Sequence, residues 1–179
     1  MKARHVLTAL GLALAALVAG PSLVRGRRYT VEREVMVPVP PEEAFAFFAD
    51  PANLPKVMPP WLGFRLVRID GLPMRAGTTI EYTVRALGAP QRSTVRVEEF
   101  EAGVRFVDAQ ERGPYRYWRH EHAFEEWHGG TLVRDRVEYE LPYGVLGRVA
   151  NTMLVARQLQ QALDYRTLAI ARLFAEGQA

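Results

Sequence analysis

The chain has 179 residues, 49% of them apolar, the length of one domain with enough apolar side chains for a core. Cysteine is absent, which excludes a disulfide framework, a thiolate nucleophile and a Cys-based zinc site. The net charge is +3, and the basic residues, all arginine except Lys2 and Lys56, alternate with glutamates; beyond Arg25-Gly26-Arg27-Arg28 there is no basic stripe, and no nucleic-acid partner is expected.

Val6 to Val24 carries no charge and is flanked by Lys2 and Arg4 before it and Arg25, Arg27 and Arg28 after it. A run of this length just spans a bilayer as a helix. The best signal-cleavage site, Val18-Ala19-Gly20, would leave Pro21 directly after the cut, so an uncleaved membrane anchor is favoured over export after cleavage. Basic residues are nearly balanced across the run and leave its orientation open. Residues 1–28 are therefore set apart as a membrane segment and residues 29–179 as the folded domain.

Tyr29–Val39 alternates Val31, Val35, Val37 and Val39 against Glu32 and Glu34, which predicts a half-buried strand with Arg33 an exception on the apolar face. Pro40-Pro41-Glu42-Glu43 opens a short helix, since proline and acidic residues suit a first turn. Ala44, Phe45, Phe47 and Phe48 give its apolar side, and Asp50-Pro51 ends it. Ala52–Pro60 forms a second short helix or turn. Six strand-like runs follow: Phe64–Ile69, Thr78–Arg85, Ser93–Phe100, Arg105–Glu111, Arg116–Trp127 and Leu132–Leu141. Short breaks at Asp70-Gly71, Gly88-Ala89-Pro90, Ala102-Gly103, Gly113-Pro114 and Gly129-Gly130 favour consecutive antiparallel pairing. From Val145 to Glu176, Val149, Met153, Ala156, Leu159, Leu163, Ile170 and Phe174 recur at steps of three and four and predict one long helix with a single buried stripe. The order is β-α-α-β6-α: an α+β domain in which seven antiparallel strands curve around a long C-terminal helix. One helix does not fill such a surface, so a cavity is expected between sheet and helix.

Several stretches carry a resemblance. They are Pro40-Pro41-Glu42-Glu43-Ala44-Phe45 with Phe48 and Pro51, Pro59-Pro60-Trp61-Leu62-Gly63-Phe64, and Trp118-Arg119-His120-Glu121-His122-Ala123-Phe124. Gly130-Thr131-Leu132, Asp135, Val137, Tyr139, Leu141-Pro142, Gly147 and Asp164-Tyr165-Arg166 complete the set. Over Tyr29–Phe174 the chain resembles the SRPBCC (START-like, helix-grip) superfamily, in the branch related to polyketide cyclase/dehydrase-like proteins. The resemblance implies the helix-grip fold. It leaves open a range of roles, from lipid and quinone binding to aromatase/cyclase activity, because fold alone does not assign function.

Strand alternation places Trp118, His120, His122 and Phe124 on one face, and Val133, Asp135, Val137, Tyr139 and Leu141 on one face of the next strand. An inward Asp135 needs a partner, for which His120, His122 or Arg33 is available. This patch reads either as a satisfied network that fixes strand register or as a group that contacts a ligand or moves a proton. Two histidines with Asp135 supply three donors, but no supporting second shell is readable, so no metal and no other cofactor is expected. Tyr82 is placed to line the cavity and Trp61 to cap its mouth, each coupling a large apolar body to one polar tip. His128 falls in a turn and is expected to be solvated.

The expected function is non-catalytic binding or carriage of a small hydrophobic ligand, such as a lipid, quinone or polyketide-like molecule, at a membrane. Trp61, Tyr82, Trp118, His120, His122, Asp135 and Tyr139 are the candidate contacts. A cavity of roughly 300 Å³ or more reaching His120 is the mark of such a site. The alternatives are a cyclase- or dehydratase-like enzyme using His120 or His122 with Asp135, and a membrane-tethered interaction module whose cavity is incidental, which a filled core would support. No protein partner is readable.

Overall fold

A computed structural model describes residues 26–86 and 89–177. The apolar run Val6–Val24 and its membrane placement lie outside the described residues. Among those described, no helix is long and apolar enough to cross a membrane.

Strand β1 (Arg28–Val37) leads into helix α1 (Pro41–Phe48), a one-turn helix α2 (Leu54–Val57) and a short 3-10 turn at Pro60–Leu62. Strands β2 (Arg65–Asp70), β3 (Thr79–Ala86), β4 (Ala89–Glu101), β5 (Arg105–Arg112), β6 (Tyr117–Trp127) and β7 (Gly130–Glu140) follow. The chain closes with α3 (Gly144–Ala150), a π-helical turn (Asn151–Val155) and α4 (Ala156–Ala175). All seven strands form one antiparallel sheet in the order β1-β7-β6-β5-β4-β3-β2. Irregular register at Val97/Glu99 and Leu66/Arg68 supplies the bulges that bend such a sheet.

The expected helix-grip arrangement is present, and the valine alternation is why β1 seats as it does: Val31 and Val37 are buried while Glu32 and Glu34 are exposed. The arginines of the outer face pair with glutamates across strands, as in Arg134–Glu34 (2.6 Å) and Arg119–Glu99 (2.9 Å). Beneath the sheet, Phe45 of α1 meets Phe100, Phe106 and Phe124 edge-on at ring separations of 5.3, 6.0 and 5.3 Å. Burying one such ring contributes about 1.5–3 kcal/mol. Phe47 and Phe48 pack beside it with Ile170 and Phe174 of α4. A second cluster joins Val31, Val137, Tyr139, Val155 and Leu163.

One expectation about the long helix is corrected. The stripe does not continue through Val149 and Met153, which are 51% and 70% exposed. The π turn adds a residue to one turn and rotates the preceding segment. The buried stripe instead runs Asn151, Val155, Leu159, Leu163, Arg166, Ile170 and Phe174, with Leu159 only partly buried. Gly147 explains how α3 still closes on the chain: a Cβ there would overlap the Pro142 carbonyl oxygen.

Candidate functional site

Where the two apolar clusters meet, the inner faces of β5, β6 and β7 bring a polar group against α4. His122 Nδ1 donates to Asp135 Oδ1 at 2.5 Å, and Arg166 Nε donates to Asp135 Oδ2 at 2.9 Å. His122 Nε2 faces Asp108 Oδ2 at 3.4 Å. His120 Nε2 lies 3.4 Å from Asp135 Oδ1 but closes no hydrogen bond, and it is buried without a partner. The strand register requires this meeting, since His122 stands opposite Asp135 and His120 opposite Asp108. His122 also stacks on Phe106 with rings 4.4 Å apart, and the His120 and His122 rings are 3.9 Å apart.

The electrostatics follow from this geometry. Burial alone would raise the Asp135 carboxyl, but Arg166 and then His122 hold it well below the usual carboxylate range. Burial opposes charge on His122 too, yet Asp135 and Asp108 outweigh it and keep the imidazole above its ordinary value. Burial and the neighbouring charge on His122 push His120 down, against the pull of Asp135. The Asp108 and Asp135 carboxyl groups therefore face Arg166 and His122, with the charged form favoured on His122 and the neutral form on His120.

This cluster borders two neighbouring apolar chambers. One of about 90 Å³ is lined by Phe48, Met74, Ile80, Val97, Phe106, Asp108, His122 and others. A larger one of about 150 Å³ is lined by Val84, Ser93, Tyr115, Val137 and, from α4 and the π turn, Val155, Leu159 and Leu163. Met58, Tyr82, Trp118, His120 and Arg166 belong to both walls. Burial raises the Tyr82 hydroxyl, with the Asp108 charge adding to the effect. Each chamber is smaller than the 300 Å³ expected.

The structure brings Tyr82, Trp118, His120 and His122 together on the cavity walls, with Asp135 directly behind them. Trp61 and Tyr139 lie apart from both walls. Trp61 is 55% exposed and meets Tyr165 edge-on. Tyr139 is buried and donates from its hydroxyl to Asn151 Oδ1 at 2.7 Å. His128 is exposed in its turn, as expected. Arg33 is not the partner of Asp135: although it stands opposite Asp135 in the β1–β7 register, its Nε donates to Asp164 Oδ1 at 2.6 Å. Both Asp135 oxygens already accept from His122 and Arg166.

Sequence reasoning missed two members of the site. Arg166 falls on the helical stripe between Leu163 and Ile170, so its spacing already marked it as inward. Asp108 shares strand parity with Phe106, although Val107 on the other parity is equally buried and obscures the signal. Among the described residues, Asp108, His120 and His122 each bring one donor atom within 4.8 Å of the others, a set a divalent cation can use. Asp135 is not in that set.

A sequence model of the family described as polyketide cyclase/dehydrase and lipid transport matches residues 28–175. No curated protein matches the chain. Several solved structures share the fold at low identity. Norcoclaurine synthase of Thalictrum, a point mutant in complex with a transition-state analogue, aligns with a TM-score of 0.64 at 15% identity, over 87% of this chain and 99% of that one. Protein TTHA0849 from Thermus thermophilus aligns at 0.62 and 17% identity, over 86% and 100%. The ginseng major latex-like protein 151 of Panax ginseng aligns at 0.59 and 11%, over 83% and 99%.

Proposed function

The chain belongs to the polyketide cyclase/dehydrase and lipid transport family, within the SRPBCC superfamily, and on that premise we propose that it binds or carries a small apolar ligand without transforming it, held to a membrane by Val6–Val24. The observation that carries the reading is the pair of neighbouring apolar chambers, which share Tyr82, Trp118, His120 and Arg166 and have a few polar groups on one wall, the composition usual for small-molecule sites. Their size suits a single ring system or one end of a longer chain. The interaction-module reading, in which any cavity is incidental, predicts no bound ligand. Native mass spectrometry of the full-length protein, purified in detergent from its own membranes, tests the proposal. A co-purified lipid or quinone mass is expected. Protein that stays free of ligand and takes up no anilinonaphthalene dye would sink it.

A second reading rests on His122. An imidazole held between the Asp108 and Asp135 carboxyl groups at a cavity wall, with its charged form favoured, is a group able to give up a proton. Glutamine at His120 or His122 separates the readings. In a binder, affinity falls by about 1 kcal/mol or less, the value of one neutral hydrogen bond. In an enzyme, turnover of the substrate collapses by about 10²–10⁴-fold with binding nearly kept.

A further inference from the structure

Most large apolar residues left exposed among the described residues are scattered, but six lie within twelve positions: Tyr143, Val145, Leu146, Val149, Met153 and Leu154, exposed by 49–75%. They cover the outer side of α3 and the π turn. A contiguous patch of this kind marks an interaction surface. Charge narrows the partner. No acidic residue occurs between Glu140 and Asp164, while Arg148 and Arg157 are exposed. An apolar face flanked by arginine and free of carboxylates suits the boundary of an anionic bilayer.

The path of the chain points the same way. Gly26 packs so closely on the Glu140 side chain that a Cβ would overlap it, and Arg28 pairs with Glu140 across β1 and β7. Tyr143 follows Glu140 by three residues. The apolar run ends at Val24, four residues before Arg28, so a bilayer holding that run lies within roughly 14 Å of Arg28 at full extension. The segment also has an inner side. Val155, next to exposed Leu154, forms the wall of the larger chamber with Leu159.

We propose that the outer face of Tyr143–Leu154 rests on the membrane surface. This contact does not rest on the ligand-binding reading.

The natural absence of cysteine gives a direct test. Met153→Cys and Ala102→Cys, each made in the full-length chain and labelled with an NBD fluorophore, are reconstituted into phosphatidylcholine vesicles containing phosphatidylglycerol. Ala102 is an exposed residue of the β4–β5 turn, at the end of the sheet away from Glu140. A doxyl-labelled lipid should quench the probe at 153 at least about twofold, because such a face sits at the headgroup–acyl boundary. The probe at 102 should be unaffected. A probe at 153 that is open to aqueous iodide and unquenched by lipid overturns the proposal. So does a probe shielded from both quenchers, which would mean that protein, either residues 6–24 or a second copy, covers the face. If lipid quenching is seen in protein that carries no ligand by mass spectrometry and takes up no anilinonaphthalene dye, the cavity reading fails while the membrane contact stands.

Discussion

Replacing Asp135 by alanine removes the centre of the buried network. Asp135, His122 and Arg166 are 4%, 3% and 5% exposed. The substitution deletes the bonds of 2.5 Å to His122 and 2.9 Å to Arg166. His122 keeps Asp108 at 3.4 Å, whereas Arg166 keeps only the face of Phe48, 5.4 Å from its guanidinium carbon. Breaking a buried ion pair from one side costs about 3–5 kcal/mol. Arg166 borders both chambers, which places the expected loss near the low end, about 3 kcal/mol. That is a large part of a domain's usual stability of about 5–15 kcal/mol. It corresponds to a melting-temperature drop of about 6–12 °C at this chain length. Urea denaturation of the full-length protein followed by tryptophan fluorescence measures it as a lower midpoint with unchanged slope. Asp135→Asn keeps an acceptor for Arg166 and should lose less. A loss below about 0.5 kcal/mol, typical of surface sites, would refute the account of a tightly coupled interior.

The two histidines should make opposite pH contributions. The His122 value is raised, so its contribution is full below about pH 6.5 and lost as pH rises through its folded value. The His120 value is lowered, so its contribution is present above about pH 6.5 and lost as pH falls through its folded value. Stability of His120→Gln should therefore decline toward alkaline pH, and that of His122→Gln toward acidic pH; identical slopes in both variants would contradict this. Tyr139→Phe leaves the buried Asn151 without its donor and should cost about 1–2 kcal/mol, with faster hydrogen exchange in the π turn as the local signature. Gly147→Ala forces a methyl group onto the Pro142 carbonyl and should cost about 1–3 kcal/mol in the same melts. Deleting residues 1–25 should give a folded domain in the soluble fraction, and full-length protein found there uncleaved would remove the anchor.

The sheet was legible because its strands alternate cleanly: Val133, Asp135, Val137 and Tyr139 all point inward as their parity requires. Parity also put His120, His122 and Asp135 on one wall. The partners of Asp135 were harder to read, since cross-strand register shows only which residues stand opposite. Arg33 does stand opposite Asp135, but its side chain reaches past the sheet to Asp164. Arg166 comes from a helix packed over the sheet, and no short-range pattern ties it to β7. The π turn escaped for a different reason. Val149 and Met153 keep perfect three-and-four spacing with Ala156, and that spacing does not reveal an inserted residue that turns the first part of the helix outward.

That inserted residue divides the helix into parts held to different degrees. Within α4, Ile170 and Phe174 are sunk in the core, and Arg166 is bound to Asp135. Arg33–Asp164 adds little, because both side chains are substantially exposed. N-terminal to α4, the side-chain hydrogen bond to the sheet among the described residues is Tyr139–Asn151. A buried ionic cluster is seldom more stable than the apolar side chains that would replace it. The gain from Asp135 therefore lies in position, because its two oxygens fix α4 against β6 and β7 at once. The polar wall of the cavity is built on the clamped half, and Val155 and Leu159 bring the apolar wall from the junction with the looser half.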